Sequence, residues 1–315
     1  MECLERIAFF GTPEFAVPTL AALVDSGRAP RVVVSQPARP AGRGRPLADP
    51  PVAAWAREHG LPVLQPLRVR EPAFLAEIGA LGLDLAVVVA FGQIFPAALL
   101  ELPRLGCINL HASLLPRHRG AAPVQAAILA GDAMTGVSTM QMTAGLDSGP
   151  ILLQRETPIG PRETAGELGV RLAELGAALV LETLRALAAG TLAPRAQDDS
   201  AATYAPRLDK AVGRVDWSLD AAVLARRLRA YTPWPGLEAA LRGAPVKLVR
   251  AAPAESADGD GAPGTVLGLR AGRLAVACGG ASVLEIEALQ RAGRRPLSAA
   301  DFANGERLRA GERFE

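Results

Sequence analysis

Arg6-Ile7-Ala8-Phe9-Phe10-Gly11-Thr12-Pro13-Glu14, running on through helix-spaced apolar residues to Ser26, is the stretch that decides the fold. Ile7 to Phe10 are apolar at every position, as in a strand buried on both faces, and Glu14 to Ser26 has helical periodicity. The strand-then-helix unit recurs. Strands are predicted at Arg31 to Ser35, Asp84 to Ala90, Cys107 to Leu110 and Gly136 to Met142. Helices are predicted at Pro51 to His59, Glu71 to Ala80, Pro123 to Ala130 and Thr164 to Ala189.

Such alternation predicts an α/β fold, a Rossmann-like, doubly wound parallel sheet with helices on both faces. The turn Gly11-Thr12-Pro13-Glu14 lacks the Gly-x-Gly-x-x-Gly pattern that lets backbone approach a pyrophosphate, which argues against a nicotinamide or flavin dinucleotide. Thr12 reads as a helix cap. The pattern changes after Gly190, where Gln197, Asp198, Asp199 and Ser200 lead through Tyr204-Ala205-Pro206. Residues 1–190 are predicted as one domain, 191–206 as a linker and 207–315 as a second domain. In the second, a helix from Leu219 to Ala230 stops at Thr232-Pro233-Trp234-Pro235-Gly236, because proline cannot extend the helical hydrogen-bond ladder. Short strands at Val246 to Ala251, Gly264 to Leu269, Arg273 to Ala277 and Ser282 to Leu289 predict a small β-barrel.

The 315 residues, 50% hydrophobic and 21% charged, suit two globular domains. No apolar run of about 18 residues occurs, so no membrane span is expected. Met1 to Phe10 lacks the basic start, apolar middle and cleavage site of a signal peptide, so a cytoplasmic protein is expected. Cys3, Cys107 and Cys278 are few, far apart and odd in number, which suits reduced thiols and no structural metal. The net charge of +2 is uneven: residues 207–315 hold 17 Lys+Arg against 13 Asp+Glu, and residues 1–206 hold 17 against 19. A weakly basic second domain could face a polyanion, although ordinary surface charge is the better explanation of so small an excess taken alone.

The densest polar cluster is Asn109-Leu110-His111-Ala112-Ser113-Leu114-Leu115-Pro116, directly after a strand, where doubly wound sheets bind ligands. Side chains alternate along an extended chain, so Asn109 and His111 point to one side. An amide donor beside an imidazole suits acyl transfer, which develops an oxyanion and needs a base. A satisfied core histidine is the bland alternative for His111. Of the other histidines, His59 reads as a surface residue or helix cap, and His118 as part of a solvated or substrate-facing loop. Gly145-Leu146-Asp147-Ser148-Gly149-Pro150 forces a tight loop around one carboxylate, and Asp147 joins the Asn109 and His111 pair. Gln36 to Pro51, rich in Pro and Gly and carrying Arg39, Arg43 and Arg45, is a long basic loop. Composition leaves phosphate contact and disorder equally open for it.

Phe10 to Ala16, Gln36 to Gly44, Ile108 to Arg117, Arg119 to Pro123, Met140-Gln141-Met142 and Gly145 to Gly149 resemble the methionyl-tRNA formyltransferase family. The Asn-x-His-x-Ser-Leu-Leu-Pro run is shared with other enzymes that use 10-formyltetrahydrofolate. The second half separates them: Val215 to Ser218, Pro233 to Gly236, Ala262 to Gly264, Leu289-Gln290 and Ser298 to Phe302 with Asn304-Gly305 resemble the tRNA-acting family. The sequence departs from that pattern at Ala38, Phe91 and His118, where aspartate, tyrosine and tryptophan are common.

The resemblance implies a formyltransferase fold followed by an OB-like barrel that helps hold tRNA. It implies catalytic roles for Asn109, His111 and Asp147 and a folate-binding segment of Ser113, Leu114, Leu115 and Pro116. It also implies contact of Arg43 with the acceptor end of tRNA; Arg39, Arg45 and Lys210 are assigned to tRNA with it. The expected cosubstrate is 10-formyltetrahydrofolate, the expected partner methionyl-initiator tRNA and the expected state a monomer without metal. The rivals are a formyltransferase acting on a small amine and a non-catalytic tRNA-binding protein.

Overall fold

The computed structural model describes residues 4–40, 47–255 and 260–315. Their contacts form two compact units, residues 1–123, 134–158 and 169–205 in one and residues 124–133, 159–168 and 206–315 in the other. Helices are α1 (Val17–Asp25), α2 (Pro51–Glu58), α3 (Pro72–Ala80), α4 (Ala97–Glu101), α5 (Pro123–Ala130), α6 (Ala165–Ala189), α7 (Ala221–Ala230) and α8 (Ala299–Glu306). Among the described residues no helix is long and apolar enough to cross a membrane.

In the first unit, strands β1 (Ile7–Gly11), β2 (Val32–Val34), β3 (Val63–Leu64), β4 (Leu85–Val89), β5 (Cys107–His111), β6 (Met134–Gln141) and β7 (Ile151–Pro158) form one sheet. Its order is β3-β2-β1-β4-β5-β6-β7. The first five run parallel, as the doubly wound pattern predicts, and β6 and β7 add antiparallel. Both faces of β1 are buried: Ala8 and Phe10 join Val34, Val88, Phe74 and Ile78 in one apolar cluster, while Phe9 is covered on the other side. Phe10 meets Phe91 and Phe95 edge-on at 5.4 and 4.9 Å. Each such ring, fully buried, contributes about 1.5–3 kcal/mol. Phe91, where the family often has tyrosine, is thus a core residue.

Thr12 is not a helix cap. Its hydroxyl donates to Phe91 O at 2.9 Å and accepts from Gln36 N at 3.4 Å, tying together the loops after β1, β2 and β4. The first helical turn, Glu14–Ala16, has Pro13 at its N-terminal boundary and no side-chain cap. His59 does end α2, stacked on Trp55.

In the second unit, β8 (Leu237–Leu241), β9 (Ala244–Pro253), β10 (Val266–Arg270), β11 (Arg273–Ala277) and β12 (Val283–Arg291) pair antiparallel in the order β8-β9-β12-β11-β10. Residues 311–315 then link the two ends of that order. Ala240 and Glu315 exchange backbone bonds of 2.8 Å beside β8, while Phe314 N donates to Gly264 O and Val266 N to Glu312 O beside β10. This seam closes the sheet into the expected small barrel, with Phe314 packed 5.7 Å from Trp217. Asp220 caps α7 by accepting from Ala222 N, and Ser298 caps α8 in the same way from Asp301 N. Two segments from earlier in the chain complete this unit. Arg229 on α7 donates to Gly160 O (3.3 Å) and Glu163 O (3.2 Å), and Gly166 N donates to Thr232 O (3.1 Å).

Candidate active site

β5 carries Asn109 and His111 on one face, beside Val88 of β4 and Met140 of β6. The His111 ring is 6% exposed, and its Nε2 lies 2.9 Å from His118 O. A carbonyl can only accept, so Nε2 carries a hydrogen and Nδ1 is the position at which a proton is gained or lost. Nδ1 faces Asp147 Oδ2 at 3.6 Å. That carboxylate oxygen also accepts from Gly120 N at 2.8 Å. His111 and Asp147, 36 residues apart in the sequence and in different motifs, are therefore brought together. Asn109 is half-buried, and among the described residues its amide has no hydrogen-bond partner, which leaves its N–H groups available to a ligand.

The Asp147 turn is tightly constrained. Asp147 has φ +47, a left-handed conformation that side chains other than glycine seldom adopt, and a Cβ at Gly149 would overlap Gln141 O. Gln197 Nε2 donates to Asp147 O (2.9 Å) and Gly149 O (2.7 Å). Gln197 was assigned only to a linker by its sequence context; a polar residue in a polar stretch carries no signal of such a contact.

His118 is not in a solvated loop. It is 7% exposed with φ +58; its N–H donates to Thr203 Oγ1 at 2.8 Å, and its carbonyl takes the His111 hydrogen. The segment between the two histidines is likewise knitted into the fold. Ser113 Oγ donates to Arg117 O (2.6 Å), Ser138 Oγ donates to Ser113 O (2.6 Å), and Leu115 N donates to Ser138 Oγ (3.1 Å). Leu115 packs with Met140 and Ile151, whereas Leu114 and Pro116 are only half-buried and offer apolar surface.

Of the cations assigned to tRNA, Arg43 and Arg45 lie outside the described residues; the Arg39 backbone pairs with Ala48. Lys210 is exposed at the start of a short turn of the second unit, Ala211–Gly213. Among the described residues no group of three or more His, Cys, Asp or Glu could hold a metal ion. Burial pushes the Cys107 thiol, on β5 itself, up to about 12, so it supplies no thiolate nucleophile.

A mostly parallel sheet with a polar cluster at the end of β5, followed by an antiparallel barrel, is the architecture of a formyl transferase. Residues 5–184 match the formyl transferase family and residues 207–307 the formyl transferase C-terminal domain; the chain belongs to that family. The methionyl-tRNA formyltransferase of Stutzerimonas stutzeri (strain A1501) is 52% identical over 302 residues, covering 96% of this chain and 95% of that protein. The one from Geobacter sulfurreducens is 50% identical over 309 residues, covering 98% and 96%. At that likeness the chain groups with the methionyl-tRNA formyltransferases, as its motifs imply. Two solved structures share the fold at lower identity. HypX from Aquifex aeolicus in complex with tetrahydrofolic acid has a TM-score of 0.64 at 18% identity over 98% of this chain, which spans 49% of that longer one. WlaRD, a sugar 3N-formyl transferase, has a TM-score of 0.67 at 16% identity, covering 93% of this chain and all of that one.

Proposed function

We propose that this protein transfers the formyl group of 10-formyltetrahydrofolate to the α-amino group of methionyl-initiator tRNA, giving formylmethionyl-tRNA for translation initiation. The observation that carries the chemistry is an Asn109 amide with no hydrogen-bond partner among the described residues, beside a His111 whose Nδ1 faces Asp147 Oδ2 at 3.6 Å. The neutral amine attacks the formyl carbon, and the Asn109 amide with protonated His111 stabilises the oxyanion that forms. As the new C–N bond forms and the bond to N10 breaks, the proton lost by the amine passes by way of Asp147 and His111 to the departing N10. Leu114 and Pro116 offer the folate apolar surface, with Ser113 and Leu115 fixing the segment from below.

In this reading residues 1–190 perform catalysis, residues 191–206 join the domains, and residues 207–315 hold tRNA. Arg39, Arg43, Arg45 and Lys210 contact its phosphates, and the protein works as a monomer in the cytoplasm. The test is transfer of a labelled formyl group. With donor present, label is expected on charged initiator tRNA. Label appearing only on small amines, or tRNA binding with no transfer to any acceptor, would overturn the proposal.

A further inference from the structure

The two groups that fix the reacting pair are themselves held by residues from beyond α6. Gln197 Nε2 spends both hydrogens on the Asp147 turn, at Asp147 O and Gly149 O, while its Oε1 accepts from Arg119 Nε at 3.0 Å. Arg119 is 3% exposed and is anchored outward by Asp199 at 2.8 Å. An arginine can only donate, so Arg119 dictates which end of the Gln197 amide faces the turn. The residues that follow grip the opposite wall. Arg119 N donates to Thr203 O (2.8 Å), Ala121 N to Ala205 O (2.8 Å), and Tyr204–Ala205 runs parallel to Arg119–Gly120. Gly120 N is the donor to Asp147 Oδ2, and His118 O is the acceptor for His111 Nε2.

We infer that Gln197, oriented by Arg119, is a positioning residue that holds Asp147 in line with His111 Nδ1 for formyl transfer. The inference rests on the catalytic reading above. A non-glycine turn at φ +47 relaxes toward a commoner conformation unless its surroundings oppose this, and both carbonyls that would swing are the ones Gln197 binds. The segment also leads without interruption into residues 206–315, so the carboxylate is held by the stretch of chain that precedes the second unit.

The experiment is steady-state formylation of charged initiator tRNA by Gln197→Ala, Gln197→Glu, Asp147→Asn and the Gln197→Ala/Asp147→Asn double variant. Gln197→Ala is expected to lower kcat roughly tenfold to a hundredfold while both KM values stay within about twofold, because geometry and not binding is lost. Gln197→Glu keeps the shape and the Arg119 contact but has no hydrogen for the carbonyls, and it should fall as far. In the Asp147→Asn background the alanine change should add nothing, which a general structural role would not produce. Where truncation unfolds the protein, Gln197→Met keeps the volume and should show the same kcat loss. Wild-type kcat in Gln197→Ala alongside an impaired Asp147→Asn overturns the positioning role, as does a double variant in which the two losses multiply. An Asp147→Asn enzyme of full rate overturns instead the catalytic reading beneath it.

Discussion

Asn109→Ala separates catalysis from stability more cleanly than any other change at the site. The amide is half-buried and has no partner among the described residues, so truncation orphans no group and opens no closed cavity. Its effect on folding free energy should lie within about ±0.5 kcal/mol, as for ordinary surface substitutions. Its effect on the reaction is the loss of one oxyanion donor, about 2.7–4 kcal/mol or roughly 10²–10³-fold in kcat. His111→Ala provides the contrast, because it strips His118 O of its donor and empties a buried volume, costing about 1–3 kcal/mol of stability as well as activity. Single-turnover formylation at saturating donor, paired with urea denaturation of the same preparations, measures both quantities. A folded Asn109→Ala enzyme of near-normal rate would refute the assignment, and so would a rate loss matched by an equal loss of stability.

Three other outcomes are expected. The Arg6 side chain bonded to Asp84, with further backbone donors at Arg6 and Glu5, holds that carboxyl at about 2, below its unfolded value of about 3.9. The stability it adds is thus present above about pH 4 and lost as pH falls toward 2, so the urea midpoints of wild type and Asp84→Asn should converge over that range; a constant gap would contradict this. Arg43→Ala should raise KM for tRNA, leave KM for folate unchanged and flatten the salt dependence of tRNA binding by about one phosphate contact; unaltered tRNA kinetics would count against it. Phe314→Ala empties a fully buried site in the barrel seam and should cost about 3–5 kcal/mol in chemical denaturation, a figure that a nearly unmoved midpoint would disprove.

The parallel core was legible because each strand buried on two faces writes an unbroken apolar run, as Ile7 to Phe10 and Leu85 to Val89 do. β7 escaped notice because it lies at the sheet edge, where Gln154, Arg155 and Glu156 can remain polar; β3 is only two residues long. Asn109 and His111 were readable through their spacing on one strand, and Asp147 through the glycines and proline that force its turn. The partners of that turn were not. Gln197 and Arg119 are 78 residues apart and lie in segments with no shared periodicity, and His118, flanked by two arginines, gave every sign of facing water. Contacts of that kind depend on how the chain returns, and local composition does not encode it.

The second unit draws residues 124–133 and 159–168 out of the middle of the chain, and this bears on how such a gene can be rearranged. A crossover that attached residues 207–315 to a foreign catalytic body would leave Arg229 without the Gly160 and Glu163 carbonyls, and Thr232 without the Gly166 amide. The barrel is not a cassette that can be passed alone from one protein to another. Lineages that inherit it should carry the two earlier segments with it, and successful chimeras should be those whose joints preserve all three.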